Sequence, residues 1–321
     1  MHRQSYRFSA DDGASLQLYC WQPAGPPRAT IQLIHGISEH AARYDNVASA
    51  LAEAGYAVYA HDQRGHGQTA SSADALGYVA PTGGWRRLLN DVMAVYCHIS
   101  EQQPNAQRIL IGHSMGSLLA QQFAIEHGAL LDGLVLSATT YRTDPMPAFG
   151  KWLAGQMIRW RGAPYRSTFL DFLTVGALRL TIRNRRTIFD WLSRDPAAID
   201  AYIADPLCGG VPSVALWRDV YDGVRFVARR EQQARIPRAL PILLLAGSAD
   251  PLSAGGRGVS RLAERYRSLG IADVACRIYP GARHEVFNEI NRTEVYSDLL
   301  DWLDLRLNPA SVLAPEQIGI Y

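Results

Sequence analysis

The chain has 321 residues, 48% of them hydrophobic and 19% charged, an average globular composition that excludes a disordered or collagen-like protein. Basic residues number 32 and acidic residues 30, a formal charge of +2 that gives no broad electrostatic reason to bind nucleic acid or an acidic surface. The length allows either one domain or two.

In chain order, Tyr6–Ser9 and Leu16–Tyr19 alternate with period two around Asp11-Asp12-Gly13, which predicts a β-hairpin. The pattern then changes to short apolar runs that end at Gly, Asp or Ser: Ala29–Ile34, Ala57–Ala60, Ile109–Ile111, Leu134–Leu136 and Ile242–Leu245. Such runs suit strands buried on both faces of a parallel sheet. Helical spacing over Val47–Ala54, Trp85–Ile99 and Leu118–His127 fills the intervals, so the fold class is α/β with a doubly wound, mostly parallel sheet. The alternation stops after Ser137, and from Thr139 to Arg238 the pattern is helical, rich in Trp, Phe, Leu and Arg, with no convincing buried strand. The economical organisation is a core of residues 1–138 and 239–321 with an inserted, mostly helical cap over 139–238. An insertion after the C-terminal end of a strand lies on the face where open α/β sheets bind ligands. The segment Asn308–Tyr321, with two prolines and no periodicity, is expected to be a loosely packed tail.

Four cysteines (Cys20, Cys97, Cys208, Cys276) stand far apart and form no CxxC pair, against a zinc site or a disulfide framework. The start of the chain lacks the apolar stretch of a secretion signal, and the longest apolar stretch, Phe169 to Ile182, is broken by Asp171 and Arg179. These features predict a soluble, cytoplasmic protein. Within the cap, Phe149, Trp152, Leu153, Met157 and Trp160 recur at helical spacing beside Lys151, Arg159 and Arg161. They suit a helix that packs its apolar face over a pocket; the alternative is transient contact with a membrane surface.

Gly112-His113-Ser114-Met115-Gly116 places G-x-S-x-G between an apolar strand and a helical segment, the context a nucleophile elbow requires. Serine at so sharp a turn adopts a strained backbone, so the positions two before and two after must be small. There the Met115 N–H, at the helix N-terminus, points toward an incoming oxyanion. A serine hydroxyl is a weak nucleophile until a base takes its proton, and in this arrangement the chain order is Ser, then Asp or Glu, then His. Asp250 ends the apolar run that begins at Pro241; His284 follows the alternating run Val274–Tyr279. His127, inside the helix after the elbow, is the only other histidine downstream, and the order selects His284. Gly36 permits close approach of backbone to substrate, and Ile37 N–H is the candidate second oxyanion donor. His35, His66 and His113 form no metal-binding spacing and are read as loop-shaping residues; no metal or cofactor is expected.

Taken together, His35-Gly36-Ile37-Ser38-Glu39-His40 with Arg43-Tyr44, Asp62-Gln63-Arg64-Gly65-His66-Gly67, Gly112–Gly116, Gly247-Ser248-Ala249-Asp250 and Gly281-Ala282-Arg283-His284-Glu285 resemble the α/β-hydrolase fold, in its monoacylglycerol lipase and lysophospholipase-like branch. The cap segment Asp200–Leu207 resembles that family as well. The resemblance implies Ser114 as nucleophile, Asp250 and His284 as its partners, Ile37 and Met115 as oxyanion donors, and a single-chain lipid ester as substrate. Three rival readings share the scaffold: a small-ester esterase, an amidase or aminopeptidase, and a non-catalytic binding homologue. A substrate with a free amine would require carboxylates lining the cap, for which Asp171, Asp190, Asp195, Asp200 and Asp205 are available.

Overall fold

The computed structural model describes residues 1–307; the predicted tail from Asn308 lies outside them. The hairpin forms as expected, β1 (His2–Ser9) against β2 (Ser15–Gln22), antiparallel. The five apolar runs become β3 (Thr30–Ile34), β4 (Ala57–His61), β5 (Arg108–His113), β6 (Gly133–Ser137) and β7 (Ile242–Gly247), and the alternating run becomes β8 (Val274–Tyr279). One eight-stranded sheet results, in the order β1-β2-β4-β3-β5-β6-β7-β8. Its pairs are parallel from β4 onward, and β2 joins β4 antiparallel.

The helices fall in chain order as α1 (Asp45–Glu53), α2 (Gly84–Gln102), α3 (Met115–His127), α4 (Met146–Arg161), α5 (Thr168–Asp171), α6 (Ala177–Arg179), α7 (Pro196–Ala204), α8 (Val214–Val227), α9 (Arg230–Gln233), α10 (Arg257–Ser268) and α11 (Arg292–Leu307). Strand residues alternate between two cores, which explains why the runs read as unbroken. Leu110, Leu134 and Leu244 join α2, α3 and α8 on one face; Ile109, Val135 and Leu243 join α1 and α11 on the other.

Between β6 and β7 lie α4 to α9, and the one β contact there among the described residues is an isolated bridge, Arg166 with Ser213. Helix α8 packs on α2, α3 and α4, so it ties this stretch to the sheet layer beneath. The packing of α4 departs from expectation. Its buried positions are Pro147, Gly150 and Ala154, whereas Phe149, Trp152 and Trp160 are 50, 58 and 85% exposed. A Cβ at Gly150 would stand 2.3 Å from the Tyr221 ring, so small residues set the contact with α8 and the aromatic positions are turned to solvent. Leu153 and Met157 are half-buried against the core. No helix among the described residues is long and apolar enough to cross a membrane.

Candidate active site

Ser114 sits at the turn from β5 into α3 with φ 52° and ψ −117°, a left-handed conformation that costs a non-glycine residue roughly 1–3 kcal/mol. The flanking glycines are required by sterics. A Cβ at Gly112 would stand 2.4 Å from the Gly116 carbonyl oxygen, and one at Gly116 would stand 2.2 Å from the Ile34 carbonyl oxygen. The turn is therefore wedged between the start of α3 and the end of β3.

The loops after β7 and β8 bring the other two predicted residues to this serine. His284 Nε2 lies 2.9 Å from Ser114 Oγ, and His284 Nδ1 lies 3.2 Å from Asp250 Oδ1. Asp250 Oδ1 also accepts the Leu252 N–H at 2.9 Å, which fixes the carboxylate in its turn. Both side chains are almost fully buried. Burial alone would disfavour the imidazolium, but the adjacent Asp250 carboxylate lifts the His284 pKa above its ordinary value. Against the same burial, His284 holds the Asp250 pKa below the usual carboxylate value. His113 packs edge-on to His284 at 5.0 Å, and its pKa is pushed down to about 3 by burial and by the neighbouring imidazole. His127, the other downstream histidine, is on α3 beside Glu126.

Ile37 and Met115 line the cavity at Ser114, and neither N–H has an acceptor among the described residues. The loop carrying Ile37 is held by a buried ionic network that sequence reasoning did not assemble. Glu39 Oε1 accepts the Gly36 N–H at 2.6 Å and the Tyr44 hydroxyl at 2.7 Å. Arg43 donates to Glu39 and, at 2.8 and 2.7 Å, to both oxygens of Glu285, the residue after His284. Burial raises the Glu39 pKa; against that same burial, Arg43 holds Glu285 down at about 2. One guanidinium thus joins the Ile37 loop to the His284 loop across 242 positions of chain.

The loop-shaping histidines behave as expected. His35 accepts the Gln63 N–H and bonds the Gly36 carbonyl, while His66 bonds the Arg64 carbonyl. Among the described residues, His40, Asp205 and Cys208 have potential metal-ligating atoms within 4.8 Å of one another. The His40 Nε2–Asp205 contact of 2.8 Å already joins the loop after β3 to the end of α7, and the Arg43 guanidinium acts on the Cys208 thiol, which opposes a second cation there.

Two chambers meet at Ser114 and share Ile37, Val175, Trp217 and Leu252 as walls. One is the more polar of the two: it carries the charged side chains of Glu39, Asp171, Arg179 and Glu285 with Tyr202 and His284, set among apolar walls that include Phe189, Trp191 and Leu192. The second is apolar, lined by Met115, Leu118, Val220, Tyr221 and Val224, with Met146, Pro147 and Leu173 from the cap. Of the five cap aspartates available to a free amine, Asp171 alone lines a chamber. Asp190 bonds Thr187 and the Arg186 N–H, Asp195 caps α7, Asp200 pairs with Arg186, and Asp205 pairs with His40.

A mostly parallel sheet with a strained serine between strand and helix, and with His and Asp delivered by later strand-end loops, defines the α/β-hydrolase fold. Residues 25–291 match the serine aminopeptidase S33 family, and the chain belongs to it. Among curated relatives, a mouse (Mus musculus) monoglyceride lipase is 29% identical over 95% of this chain and 91% of its own. A monoacylglycerol lipase of Mycolicibacterium smegmatis is 27% identical over 94% of this chain and 97% of its own. Among solved structures, a thermostable carboxyl esterase from Bacillus coagulans, crystallised with glycerol, superposes with a TM-score of 0.88 at 27% identity, covering 96% of this chain and 99% of that one.

Proposed function

We propose that this carboxylic ester hydrolase cleaves single-chain lipid esters, of which monoacylglycerols are the first choice, through an acyl-enzyme on Ser114. The observation that carries the reading is the meeting of an apolar chamber with a more polar, charge-bearing one at the Ser114 hydroxyl, with an imidazole nitrogen 2.9 Å away. His284 takes the hydroxyl proton as Ser114 Oγ attacks the ester carbonyl. Asp250 fixes the imidazole tautomer and stabilises the imidazolium. The Ile37 and Met115 N–H groups receive the developing oxyanion, where one donor is worth about 3–4 kcal/mol in related chemistry. The acyl chain lies in the apolar chamber, and the alcohol leaves through the polar one with its proton returned by His284. Water then cleaves the acyl-enzyme with His284 again as base.

Ester rather than aminopeptide chemistry is supported by the cap aspartates: four of the five are paired or cap a helix elsewhere, and Asp171, the one that lines the chamber, stands beside the Arg179 cation. Phe149, Trp152 and Trp160, exposed beside Arg159 and Arg161, support transient seating of the cap on a lipid surface that delivers such substrates. The test is hydrolysis of p-nitrophenyl esters from acetyl to palmitoyl, with 1-lauroylglycerol alongside, by wild type and Ser114→Ala. The expected result is a chain-length optimum well above acetyl that vanishes in the variant. Equal rates for the two proteins would refute the mechanism; an optimum at acetyl would refute the lipid substrate.

A further inference from the structure

The two charges that interrupt the apolar run at Phe169–Ile182 have no part in the triad or in the ionic network of the loops. This inference rests on the reading that the polar chamber receives the alcohol portion of the ester. We propose that Asp171 and Arg179 are the specificity-determining pair for that alcohol, selecting one with neutral neighbouring hydroxyls, as in glycerol, over a plain alkyl or phosphate-bearing alcohol.

Both residues line the chamber that contains Ser114 and His284. Asp171 closes α5 and Arg179 closes α6, with a π turn at Phe172–Gly176 between them. Asp171 is buried, Arg179 is half-buried, and the pair is incompletely satisfied. Asp171 is 6% exposed, yet its Oδ2 stands 3.3 Å from Arg179 Nη2, well beyond the ~2.7–2.9 Å of a tight charge-assisted bond. Arg179 Nε is buried with no partner among the described residues, while the guanidinium is held over the Phe189 ring at 5.5 Å. Burial pushes the Asp171 pKa upward, the cost of a carboxylate whose solvation has not been fully replaced.

A hydroxyl is the group that completes such a pair, because it donates to a carboxylate and accepts from an N–H. A diol can do both at once, one hydroxyl on Asp171 and its neighbour on Arg179. A phosphate would gain Arg179 but face Asp171 beside it, with Glu39 and Glu285 in the same chamber. A plain alkyl alcohol offers neither ion a partner, and a site built around buried polar groups discriminates strongly against a substrate that leaves them unpaired.

The experiment compares kcat/KM for 1-lauroylglycerol, ethyl laurate and 1-lauroyl lysophosphatidylcholine, which share one acyl chain, in wild type, Asp171→Asn, Arg179→Gln, Arg179→Lys and the Asp171→Asn/Arg179→Gln double variant. The expected result is a wild-type preference for the glycerol ester that falls about tenfold or more in each single variant, with little further loss in the double. Arg179→Lys, which keeps the charge but lacks the Nε donor, falls with the others. A second readout is acyl transfer from p-nitrophenyl laurate to added glycerol against 1-propanol, which probes the same chamber in the reverse direction; the glycerol share drops in every variant. Ratios within about twofold of wild type in both readouts would overturn the proposal, as would a wild-type preference for the lysophospholipid. Wild type that cleaves ethyl laurate but not the glycerol ester would sink the substrate reading as well; cleavage of both with unmoved ratios would sink this inference alone.

Discussion

Replacing Arg43 by methionine tests whether the buried ionic network holds the Ile37 and His284 loops together. The Arg43, Glu39 and Glu285 side chains are 11, 4 and 5% exposed, and the guanidinium also lies over the Tyr202 ring at 4.6 Å. Methionine keeps much of the volume but leaves two buried carboxylates facing each other without a cation. Breaking a buried ion pair from one side costs about 3–5 kcal/mol. At roughly 2 °C per kcal/mol for a chain of this size, the melting temperature should fall by about 6–10 °C at pH 8. The pH dependence supplies the sharper sign. Without Arg43, Glu39 loses its cation and keeps only the Gly36 and Tyr44 bonds on the lowering side, while burial, the largest influence, and the charge of Glu285 hold its folded pKa above the unfolded value. The folded variant then binds a proton that the unfolded chain releases, so the stabilising protonation is present at low pH and lost as pH rises through the folded pKa. Calorimetric melts at pH 5.5 and pH 8 should show a smaller deficit at the lower pH, and Glu39→Gln in the same background should recover part of the loss at pH 8. A deficit below about 1 kcal/mol, or one equal at both pH values, would refute the reasoning.

Asp250→Asn should lower kcat on p-nitrophenyl butyrate by about 10³–10⁴-fold. Because the carboxylate is what lifts His284 against burial, the acid limb of the residual activity should move to lower pH; an unmoved limb would assign the tuning elsewhere. Leu118→Trp, which fills the apolar chamber, should shift the preferred acyl chain toward shorter esters in a chain-length profile, with acetyl and butyryl esters least affected. The double change Phe149→Ser and Trp152→Ser should weaken cosedimentation with anionic lipid vesicles and lower turnover of vesicle-borne 1-lauroylglycerol more than that of monomeric p-nitrophenyl butyrate. His61 is fully buried with neither ring nitrogen bonded among the described residues, and its pKa is pushed down to about 4 by burial. A histidine with a depressed folded pKa loses stability as pH falls below the unfolded value of about 6.5, so His61→Leu should move the acid-unfolding midpoint to lower pH by circular dichroism.

The centre of the sheet was legible because its strands are buried on both faces, so each appears in the sequence as a short apolar run that a turn residue closes, whereas β1, β2 and β8 showed as alternation. The triad candidates were legible for a different reason: the elbow imposes glycine at fixed short spacing, and few histidines compete downstream. The Glu39–Arg43–Glu285 network was hidden because half of it is a contact across 242 positions, and nothing local in Glu285 announces its partner. Periodicity on α4 grouped the aromatic residues on one face but carried no information about which way that face turns. Gly150 against the Tyr221 ring decides it, and this close approach depends on α8, more than 60 residues later in the chain. The pairing of Asp171 with Arg179 likewise required the π turn, which has no simple hydrophobic signature.

The segment Phe189–Arg194 runs along the loop that carries the base. The His284 N–H donates to the Trp191 carbonyl, the Glu285 N–H donates to the Leu192 carbonyl, and the Trp191 indole packs at a tilt 4.9 Å from the imidazole. Arg283 reaches back to the Ser193 carbonyl at 2.9 Å. The stretch between β6 and β7 therefore has two mechanical grades. The Phe189–Arg194 segment is bonded to the His284 loop, so a shift in it is transmitted to the imidazole. The stretch from Arg142 through Arg179 touches substrate space while leaving the base alone, so exchange of that stretch between relatives is the graft that should retune substrate choice with the chemistry kept whole.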